Sequence, residues 1–529
     1  MARLLHELIL EQAGRHPTAT AITHRQFSLD YAALADQIQA VGRGLRTLGL
    51  NRAERIAVYL PKRLEAVVAL FGAALAGGVF VPINPLLKPE QVAYILRDCN
   101  VRILVTARDR AALLETALAD CPDLHTLVLT EEAVPTPQRP RHWQILDWST
   151  LLSAANGPPP ARIIDLDMAA ILYTSGSTGK PKGVVLSHRN LLTGAHSVAE
   201  YLGNRPDDRI LAVLPFSFDY GLSQLTTAFV AGARAVLMDY LLPRDVINTV
   251  AREGITGLAA VPPMWVQLAA LEWPAAAASL RYLTNSGGAM PRATLAALRR
   301  ALPNTTPYLM YGLTEAFRST YLPPEEIERR PDSIGKAIPN AEILVVREDG
   351  TPCAPGEPGE LVHRGALVAL GYWNDPVKTA ERFRPVPGQN PGLPLPELAV
   401  WSGDTARMDE EGFLYFIGRK DDMIKTSGYR VSPTEVEEVL YGSGRAAEAA
   451  ALGIPHPALG QAIVAMIKPV RKPFDESALI AHCKQHLPNF MVPLRIIARA
   501  GDLPRNPNGK IDRKALVEEL RALFPEPPS

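Results

Sequence analysis

The stretch from Tyr173 to Val184 constrains the fold most, because a loop rich in glycine and hydroxyl side chains separates two apolar runs. The runs Met168–Tyr173 and Gly183–Leu186 have the composition of strands, and Pro181 argues against a helix beginning between them. Glycines let backbone N–H groups approach anionic oxygens, and hydroxyls and lysines add donors and positive charge. The pattern therefore predicts a strand-loop-strand unit that binds a polyphosphate. The residues expected to contact it are Thr174, Ser175, Gly176, Ser177, Thr178, Gly179 and Lys182.

This loop lacks the two commonest nucleotide-binding patterns. A Walker loop requires Ser or Thr directly after Gly179-Lys180, but Pro181 stands there. The three spaced glycines that open a helix in dinucleotide-binding folds are also missing. The loop therefore predicts a different class of nucleotide site.

Length and charge narrow the kind of protein. A chain of 529 residues is too long for one ordinary core, so at least two domains are expected. Lys and Arg together number 55, and so do Asp and Glu, which leaves no excess charge to attract nucleic acid or an anionic membrane. Small-molecule chemistry is the expected function, with no nucleic-acid or membrane partner.

The cysteines and the apolar runs bear on the cellular compartment. The four cysteines are widely separated, which predicts neither a zinc site nor a disulfide framework and fits a reducing cytoplasm. Glu7 and Glu11 interrupt the N-terminal apolar pattern, which favours an amphipathic helix over a signal peptide. The uncharged run Ala66–Leu87 has the length of a membrane span, but its glycines and prolines predict a buried helix, a turn and a strand.

Apolar runs with strand composition alternate with Ala/Leu-rich helical stretches, which is the pattern typical of layered α/β folds. After Pro339 the strands become shorter and turns more frequent. The fold class predicted is α/β: a large layered N-terminal domain over 1–417 with a β-rich distal part, and a small mobile α+β domain over 418–529. Ligand clefts favour domain interfaces, so the active site is expected between the two.

Six motifs occur in an order and spacing that resemble the adenylate-forming superfamily of acyl-CoA synthetases and amino-acid adenylation domains. They are the phosphate loop, Tyr311–Glu315, Trp401–Asp404, Gly418-Arg419, Lys425–Arg430 and Asn508–Lys510. The resemblance implies that a carboxylate attacks the α-phosphate of ATP, that pyrophosphate leaves, and that the acyl group passes from AMP to a thiol. Such crowding of anions calls for positive charge and positioned donors, which lysines, hydroxyls and Mg²⁺ supply.

The resemblance also implies roles for single residues. Thr314 and Glu315 would meet the α-phosphate and the metal, and Tyr311 would flank the adenine. Asp404 would accept both ribose hydroxyls, with Arg419 nearby. Asp421 occupies the hinge position between the domains. Lys510 would bridge the carboxylate and the α-phosphate during adenylation.

The acyl pocket departs from the pattern of many acyl-CoA synthetases. Phe218 stands where they carry a histidine, and Phe218-Asp219 resembles the pair in amino-acid adenylation domains, where the aspartate binds the α-ammonium group. Asp219 could instead cap a helix starting near Gly221. Arg318 could balance Asp219, hold a second substrate acid or point outward. Other residues expected around this pocket are Tyr220, Ser223, Ser286, Met310 and Ser319.

The acceptor thiol is left open between CoA and the phosphopantetheine of a separate carrier protein. The chain ends at Ser529, soon after Lys510, so a freestanding enzyme is expected. Phe216–Leu222 and Phe317–Tyr321 carry a weaker resemblance to stand-alone ligases of exosortase-associated or proline-activating systems. The leading hypothesis is a ligase that activates an amino acid or a small polar carboxylate, and the rival hypotheses are an acyl-CoA synthetase for a non-amino acid and an inactive scaffold.

Replacing Lys510 with alanine tests the catalytic assignment. We expect Lys510→Ala to lower adenylate formation by roughly 10²-fold or more, because one preorganised charge typically contributes that much. Substrate-dependent pyrophosphate release measures the effect. Near-normal release by the variant would remove Lys510 from the mechanism.

Overall fold

The computed structural model describes most of the chain. The described residues are 2–131, 143–153, 158–159, 161–174, 181–390, 392–419, 423–426, 429–456, 459–471, 473–507 and 509–524.

The strands of this part of the chain fall into four sheets. In chain order they are β1 Thr20–His24, β2 Phe27–Asp30, β3 Arg55–Tyr59, β4 Val79–Pro82, β5 Val101–Thr106, β6 Thr126–Leu129, β7 Gln144–Asp147, β8 Met168–Thr174, β9 Lys182–Ser187, β10 Arg209–Ala212, β11 Arg234–Leu237, β12 Gly257–Ala260, β13 Tyr282–Asn285, β14 Thr306–Tyr311, β15 Thr320–Leu322, β16 Lys336–Ala337, β17 Ala341–Val346, β18 Gly359–Gly365, β19 Gly371–Tyr372, β20 Phe383–Pro385, β21 Leu398–Met408, β22 Leu414–Arg419, β23 Ile424–Thr426, β24 Tyr429–Val431, β25 Ala446–His456, β26 Gly460–Pro469 and β27 Arg495–Ala498.

The α-helices connect these strands. They are α1 Glu7–Arg15, α2 Tyr31–Thr47, α3 Leu64–Ala76, α4 Pro89–Asp98, α5 Arg108–Leu118, α6 Trp148–Leu152, α7 His188–Leu202, α8 Asp219–Ala231, α9 Pro243–Glu253, α10 Pro262–Ala269, α11 Arg292–Ala301, α12 Pro376–Arg382, α13 Pro433–Gly442, α14 Glu476–His486 and α15 Arg513–Leu520. Among them, none combines the length and the apolar character that a bilayer crossing requires.

Two large sheets dominate the N-terminal part. One has the order β16-β15-β14-β13-β12-β10-β11-β1-β2, and the other has the order β19-β9-β8-β4-β3-β5-β6-β7. The expected strands on either side of the phosphate loop are β8 and β9, which pair antiparallel in the second sheet. The prediction of two strands flanking this loop is therefore confirmed.

A layer of helices packs between the two large sheets. Helix α3 is apolar on all faces and almost wholly buried, as expected of a helix covered on every side. The rings of Phe71 on α3 and Phe229 on α8 meet edge to face, 5.4 Å apart. Gly77 ends α3 with φ +82°, and β4 follows, so the prediction of a buried helix, a turn and a strand over Ala66–Leu87 is confirmed.

Two smaller sheets complete the fold. One has the order β17-β18-β21-β20 with β22 on β21, and it forms the β-rich distal part. The other has the order β24-β23-β26-β25 with β27 on β26, and α13 and α14 pack on it through a separate apolar cluster. The expected α/β class, with a large N-terminal domain and a C-terminal domain, is confirmed.

Close packing of α2 against α3 depends on a missing side chain. A Cβ at Gly72 would lie 2.6 Å from Cγ1 of Val41 on α2, so Gly72→Ala overpacks the helix layer. We expect a loss of about 1–3 kcal/mol in the free energy of unfolding, by analogy with other overpacked cores. The urea midpoint of the N-terminal transition measures it. Gly14→Ala is the matched control, because Gly14 is an exposed residue of α1 whose added Cβ meets nothing within 4 Å. Equal midpoints for both variants would contradict the prediction.

Candidate active site

The site lies where the carboxyl ends of neighbouring parallel strands meet. Strands β10, β12, β13 and β14 are adjacent in the first sheet and parallel, so the loops that follow them leave the same edge. Asp219 follows β10, Pro262 follows β12, Ser286 and Gly287 follow β13, and Thr314 follows β14. The topology thus brings together residues that lie almost one hundred positions apart.

Lys510 reaches this edge from the C-terminal part of the chain. Its Nζ lies 5.7 Å from the centre of the Phe218 ring, and its Cε lies 3.1 Å from where a Cβ of Gly287 would be. Burial lowers the pKa of Lys510, while the carboxylates of Asp219, Asp404 and Glu315 act in the opposite direction. The lysine therefore shares one electrostatic environment with residues of both the acyl side and the nucleotide side.

The segment that carries Lys510 is held by polar contacts. The Asn84 side chain, just after β4, donates a hydrogen bond of 2.7 Å from Nδ2 to the carbonyl oxygen of Pro507. The backbone N–H of Lys510 donates to Oδ1 of Asn506 at 3.1 Å. These contacts fix the approach of the lysine to the N-terminal part.

Asp219 is the first residue of α8, and its N-cap position is occupied by Phe218. The alternative that Asp219 caps a helix starting near Gly221 is therefore wrong, because the helix begins two residues earlier. The carboxylate is buried and accepts hydrogen bonds from Oγ1 of Thr314 at 3.2 Å and Nη1 of Arg318 at 2.9 Å. Asp219 thus connects Thr314, which is expected to contact the α-phosphate, to Arg318 in the acyl pocket.

Arg318 is buried and balances Asp219, one of the three roles considered for it. Its side chain is 2% exposed, so it does not point outward. Nη1 also donates to the carbonyl oxygen of Phe317 at 3.0 Å, and the guanidinium carbon lies 4.5 Å from the centre of the Tyr220 ring. Among the residues that the structure describes, Nε and Nη2 have no hydrogen-bond partner.

A strained backbone turn at Phe317 holds Arg318 in place. Phe317 has φ +57° and ψ −50°, and the N–H of Arg318 donates to the carbonyl oxygen of Ala316 at 2.6 Å. This is the rarer, strained form of the γ-turn, which a bulky residue adopts only when its surroundings impose it. The Phe317 ring is fully buried and fills the space left by Gly194 on α7, where a Cβ would lie 2.3 Å from the ring.

The other residues expected around the acyl pocket are all buried: Tyr220, Ser223, Ser286, Met310 and Ser319. Tyr220 Oη bonds Oγ1 of Thr284, and Tyr201 donates from Oη to Sδ of Met310 at 2.9 Å. Ser319 Oγ lies 2.9 Å from Nδ1 of His363, a histidine of β18 whose pKa is lowered to about 3 by burial. Sequence reasoning missed His363, because it lies 44 positions from Ser319 and in none of the motifs.

On the nucleotide side, Asp404 is already partnered. Its Oδ1 accepts from Nε of Arg419 at 3.1 Å, and its Oδ2 accepts from the hydroxyl of Tyr311. The Tyr311 ring also lies 6.1 Å from that of Phe416. Each carboxylate oxygen has a second lone pair, so ribose hydroxyls could still donate to Asp404.

Glu315 lies near the side chains of Tyr372 and Lys182. Sequence reasoning placed Glu315 and Lys182 in the site but missed Tyr372. The Tyr372 hydroxyl donates to Oε1 of Glu315 at 2.6 Å, and Nζ of Lys182 lies 5.2 Å from the centre of the Tyr372 ring. Burial lowers the pKa of Lys182, the cations Lys378 and Arg382 lower it further, and Glu315 acts in the opposite direction. A carboxylate beside a cationic phosphate contact fits Mg²⁺, which takes one or two protein carboxylates and completes its shell with phosphates and water.

Several expected site residues lie outside the described part of the chain. These are the loop residues Ser175, Gly176, Ser177, Thr178 and Gly179, and the expected hinge residue Asp421. Thr174 ends β8 and Lys182 begins β9, so both ends of the phosphate loop are described.

Two family models match this chain. The model of the AMP-binding enzyme covers residues 9–373, and that of the AMP-binding enzyme C-terminal domain covers residues 435–510. The chain belongs to the AMP-binding enzyme family. Its members form acyl-adenylates as acid-thiol ligases, which confirms the resemblance inferred from the six motifs.

Relatives within the family differ in length. An L-proline--[L-prolyl-carrier protein] ligase from Pseudomonas fluorescens is 30% identical over 98% of this chain and 99% of its own. A linear gramicidin synthase protein from Brevibacillus parabrevis is 28% identical over 97% of this chain, which spans only 10% of that protein.

Solved structures share the fold along nearly the whole chain. The anthranilate CoA ligase AuaEII in complex with anthranoyl-AMP has a TM-score of 0.86 and 25% identity, covering 98% of this chain and 97% of its own. O-succinylbenzoate coenzyme A synthetase from Bacillus subtilis, in complex with ATP and magnesium ion, has a TM-score of 0.79 and 26% identity, covering 96% and 98%.

The position of Lys510 depends on the absence of a side chain at Gly287. We expect Gly287→Ala to slow adenylate formation by roughly 10-fold, because displacement of a catalytic group by less than 1 Å has effects of this order. Pyrophosphate release at saturating ATP measures it.

The matched control for this substitution is Gly203→Ala. Gly203 also has a positive φ, +58°, but its added Cβ meets nothing within 4 Å. Both variants carry the backbone strain, and only Gly287→Ala displaces the lysine. Equal loss of activity in the two variants would show that backbone strain alone is responsible.

Proposed function

We propose that this enzyme uses ATP to activate a small polar carboxylic acid as its acyl-adenylate and then passes the acyl group to a phosphopantetheine thiol, most simply that of a separate carrier protein. The observation that carries the proposal is the approach of Lys510 to Phe218 and Gly287 at the carboxyl edge of the first sheet, where Asp219 is hydrogen-bonded to Thr314. The similarity to a carrier-protein ligase along the full length of both chains supports the acceptor.

The residues divide the reaction between them. Lys510 would place its positive charge between the attacking carboxylate and the α-phosphate, and Thr314 would donate its hydroxyl to that phosphate. Asp404 would orient the ribose through its two oxygens, while Tyr311 and Arg419 hold the carboxylate in place. Glu315 would hold Mg²⁺, which neutralises charge on the phosphates when bound.

We also propose that residues 418–529 move as one unit about Asp421. The contacts of Lys510 would then belong to the state that forms the adenylate. In that state the Asn84 side chain holds the moving segment through the Pro507 carbonyl.

An amino acid is the second candidate substrate, since Phe218-Asp219 matches the pair that binds α-ammonium groups in adenylation domains. The ion pair with Arg318 argues against it, because the negative charge of Asp219 is already balanced. CoA is the second candidate acceptor, supported by the likeness to a CoA ligase along 98% of this chain.

An assay of products tests this function. Purified enzyme with ATP, Mg²⁺ and a panel of amino acids, their deaminated analogues, short polar acids and fatty acids should release pyrophosphate, and AMP should be released in equal amount once a thiol acceptor is present to take the acyl group. We expect short polar acids to give the highest rates. Formation of ADP, or no nucleotide cleavage with any acid, would contradict the proposal.

The acceptor is tested in the same reaction. A carrier protein bearing phosphopantetheine and free CoA are supplied separately, and thioester is measured by mass spectrometry. We expect thioester on the carrier protein, and a rate of thioester formation lowered by roughly 10²-fold or more when Lys510→Ala replaces the enzyme. Thioester on CoA alone would favour the second acceptor.

A further inference from the structure

The guanidinium of Arg318 is buried with most of its donors unused. It carries five N–H groups in a planar fork. Nη1 is engaged by Asp219 and by the Phe317 carbonyl oxygen, but Nε and Nη2 have no partner among the described residues. Buried donors on a charged group are strongly destabilising when left unpaired, so this edge of the guanidinium requires an acceptor.

Arg318 cannot turn this edge toward solvent without breaking its surroundings. The γ-turn at Phe317 fixes its backbone, the Tyr220 ring covers one face of the guanidinium, and Asp219 holds Nη1. The free edge is therefore preorganised, which is the condition under which a buried donor pair contributes to binding instead of rearranging.

The neighbours of Arg318 indicate that its Nε and Nη2 edge faces the acyl group of the substrate. Asp219 links Arg318 to Thr314, which is expected at the α-phosphate, and Asp219 also acts on the Lys510 ammonium group. Met310 and Tyr220, which are expected around the acyl pocket, are buried. A group that reaches Arg318 would thus belong to the activated acid, a short distance from its reacting carboxylate.

We propose that the Nε and Nη2 edge of Arg318 binds an oxygen acceptor carried by the acyl chain, so that the substrate is a short carboxylic acid bearing an amide, carbonyl or second carboxylate group. This inference rests on the proposed function and narrows its substrate class. A planar oxygen group matches the two parallel donors of the fork.

The two other substrate types fit this edge less well. A plain alkyl acid would leave the buried donors unpaired, and sites built to hydrogen-bond a group discriminate strongly against analogues that lack it. A substrate ammonium group would approach the guanidinium while the balancing carboxylate of Asp219 is already engaged. Like charges in a buried site repel, so amines are disfavoured as well.

A series of matched acids tests the substrate class. Succinamate, succinate, butyrate and 4-aminobutyrate share one chain length and differ in the terminal group, and the same set is repeated with one carbon fewer and one more. We expect kcat/KM for the best amide or dicarboxylic acid to exceed that of the matching alkyl and amino acids by at least about 10-fold, since a hydrogen bond to a charged donor has this effect. An alkyl or amino acid that equals or exceeds them overturns the inference.

A double variant tests whether Arg318 is responsible. Arg318→Met with Asp219→Asn removes both charges, so neither member of this pair is left buried without its partner. We expect the preference for the oxygen-bearing acid to fall to within about 3-fold of the alkyl acid, whatever the absolute rate. An unchanged ratio in the folded variant overturns the inference, and Arg318→Lys, which keeps the charge without the fork, should also lower the ratio.

The matched control changes another arginine–aspartate pair. Arg281 donates to the buried Asp208 from the residue preceding β13, at the opposite edge of the same sheet. Arg281→Met with Asp208→Asn should leave the substrate ratio unchanged. A comparable fall in the ratio would show a general effect of lost stability.

Binding without turnover separates this inference from the proposed function. Thermal shift of the wild-type enzyme by the same acids reports binding even if no acid is adenylated. Preferential stabilisation by succinamate or succinate without pyrophosphate release would contradict the proposed reaction and support the Arg318 site. Pyrophosphate release with a preference for alkyl or amino acids would support the proposed reaction and contradict the Arg318 site.

Discussion

The buried ion pair between Asp219 and Arg318 connects the parts of the site that the sheet brings to one edge. It ties the first turn of α8 to the loop after β14, and through Thr314 it ties the acyl pocket to the phosphate side. Removing one partner of such a pair typically costs about 3–5 kcal/mol, because the other charge stays buried without compensation. The local geometry of the pocket therefore depends on both residues at once.

On the nucleotide side, the two carboxylates of the site are also held by other side chains. Asp404 is held by Tyr311 and Arg419, and Glu315 is held by Tyr372, through hydrogen bonds within the protein. Side chains that are already oriented lose little conformational freedom when substrate arrives. Preorganisation of this kind is what a reaction between anions requires, since it depends more on placed charge than on proton transfer.

Much of the fold and the reaction class could be predicted from sequence, because both are recorded in local patterns. The strands around the phosphate loop follow from apolar runs on either side of glycine and proline, and the motifs around Asp404 and Lys510 are short and contiguous. Contacts made across the fold could not be predicted in the same way. His363 lies 44 positions from Ser319, and nothing near it in sequence marks it as a neighbour of the acyl pocket.

The role of Asp219 shows a second limit of sequence. Its position before Gly221 suits a helix cap equally well, and only the start of α8 at Asp219 itself decides against that role. The partner of Asp219 depends on a left-handed backbone at Phe317, a conformation that a bulky aromatic residue rarely adopts. No propensity argument would place it there, because tertiary packing imposes it.

The fit between Phe317 and Gly194 has a consequence for the evolution of this pocket. The ring occupies the space of a side chain that α7 lacks, so neither position can change freely while the other stays as it is. A larger residue at position 194 would require a smaller residue at position 317. That change would remove the packing that imposes the turn directing Arg318 toward Asp219. Substrate preference should therefore depend also on the residue at position 194 of α7, through its contact with Phe317.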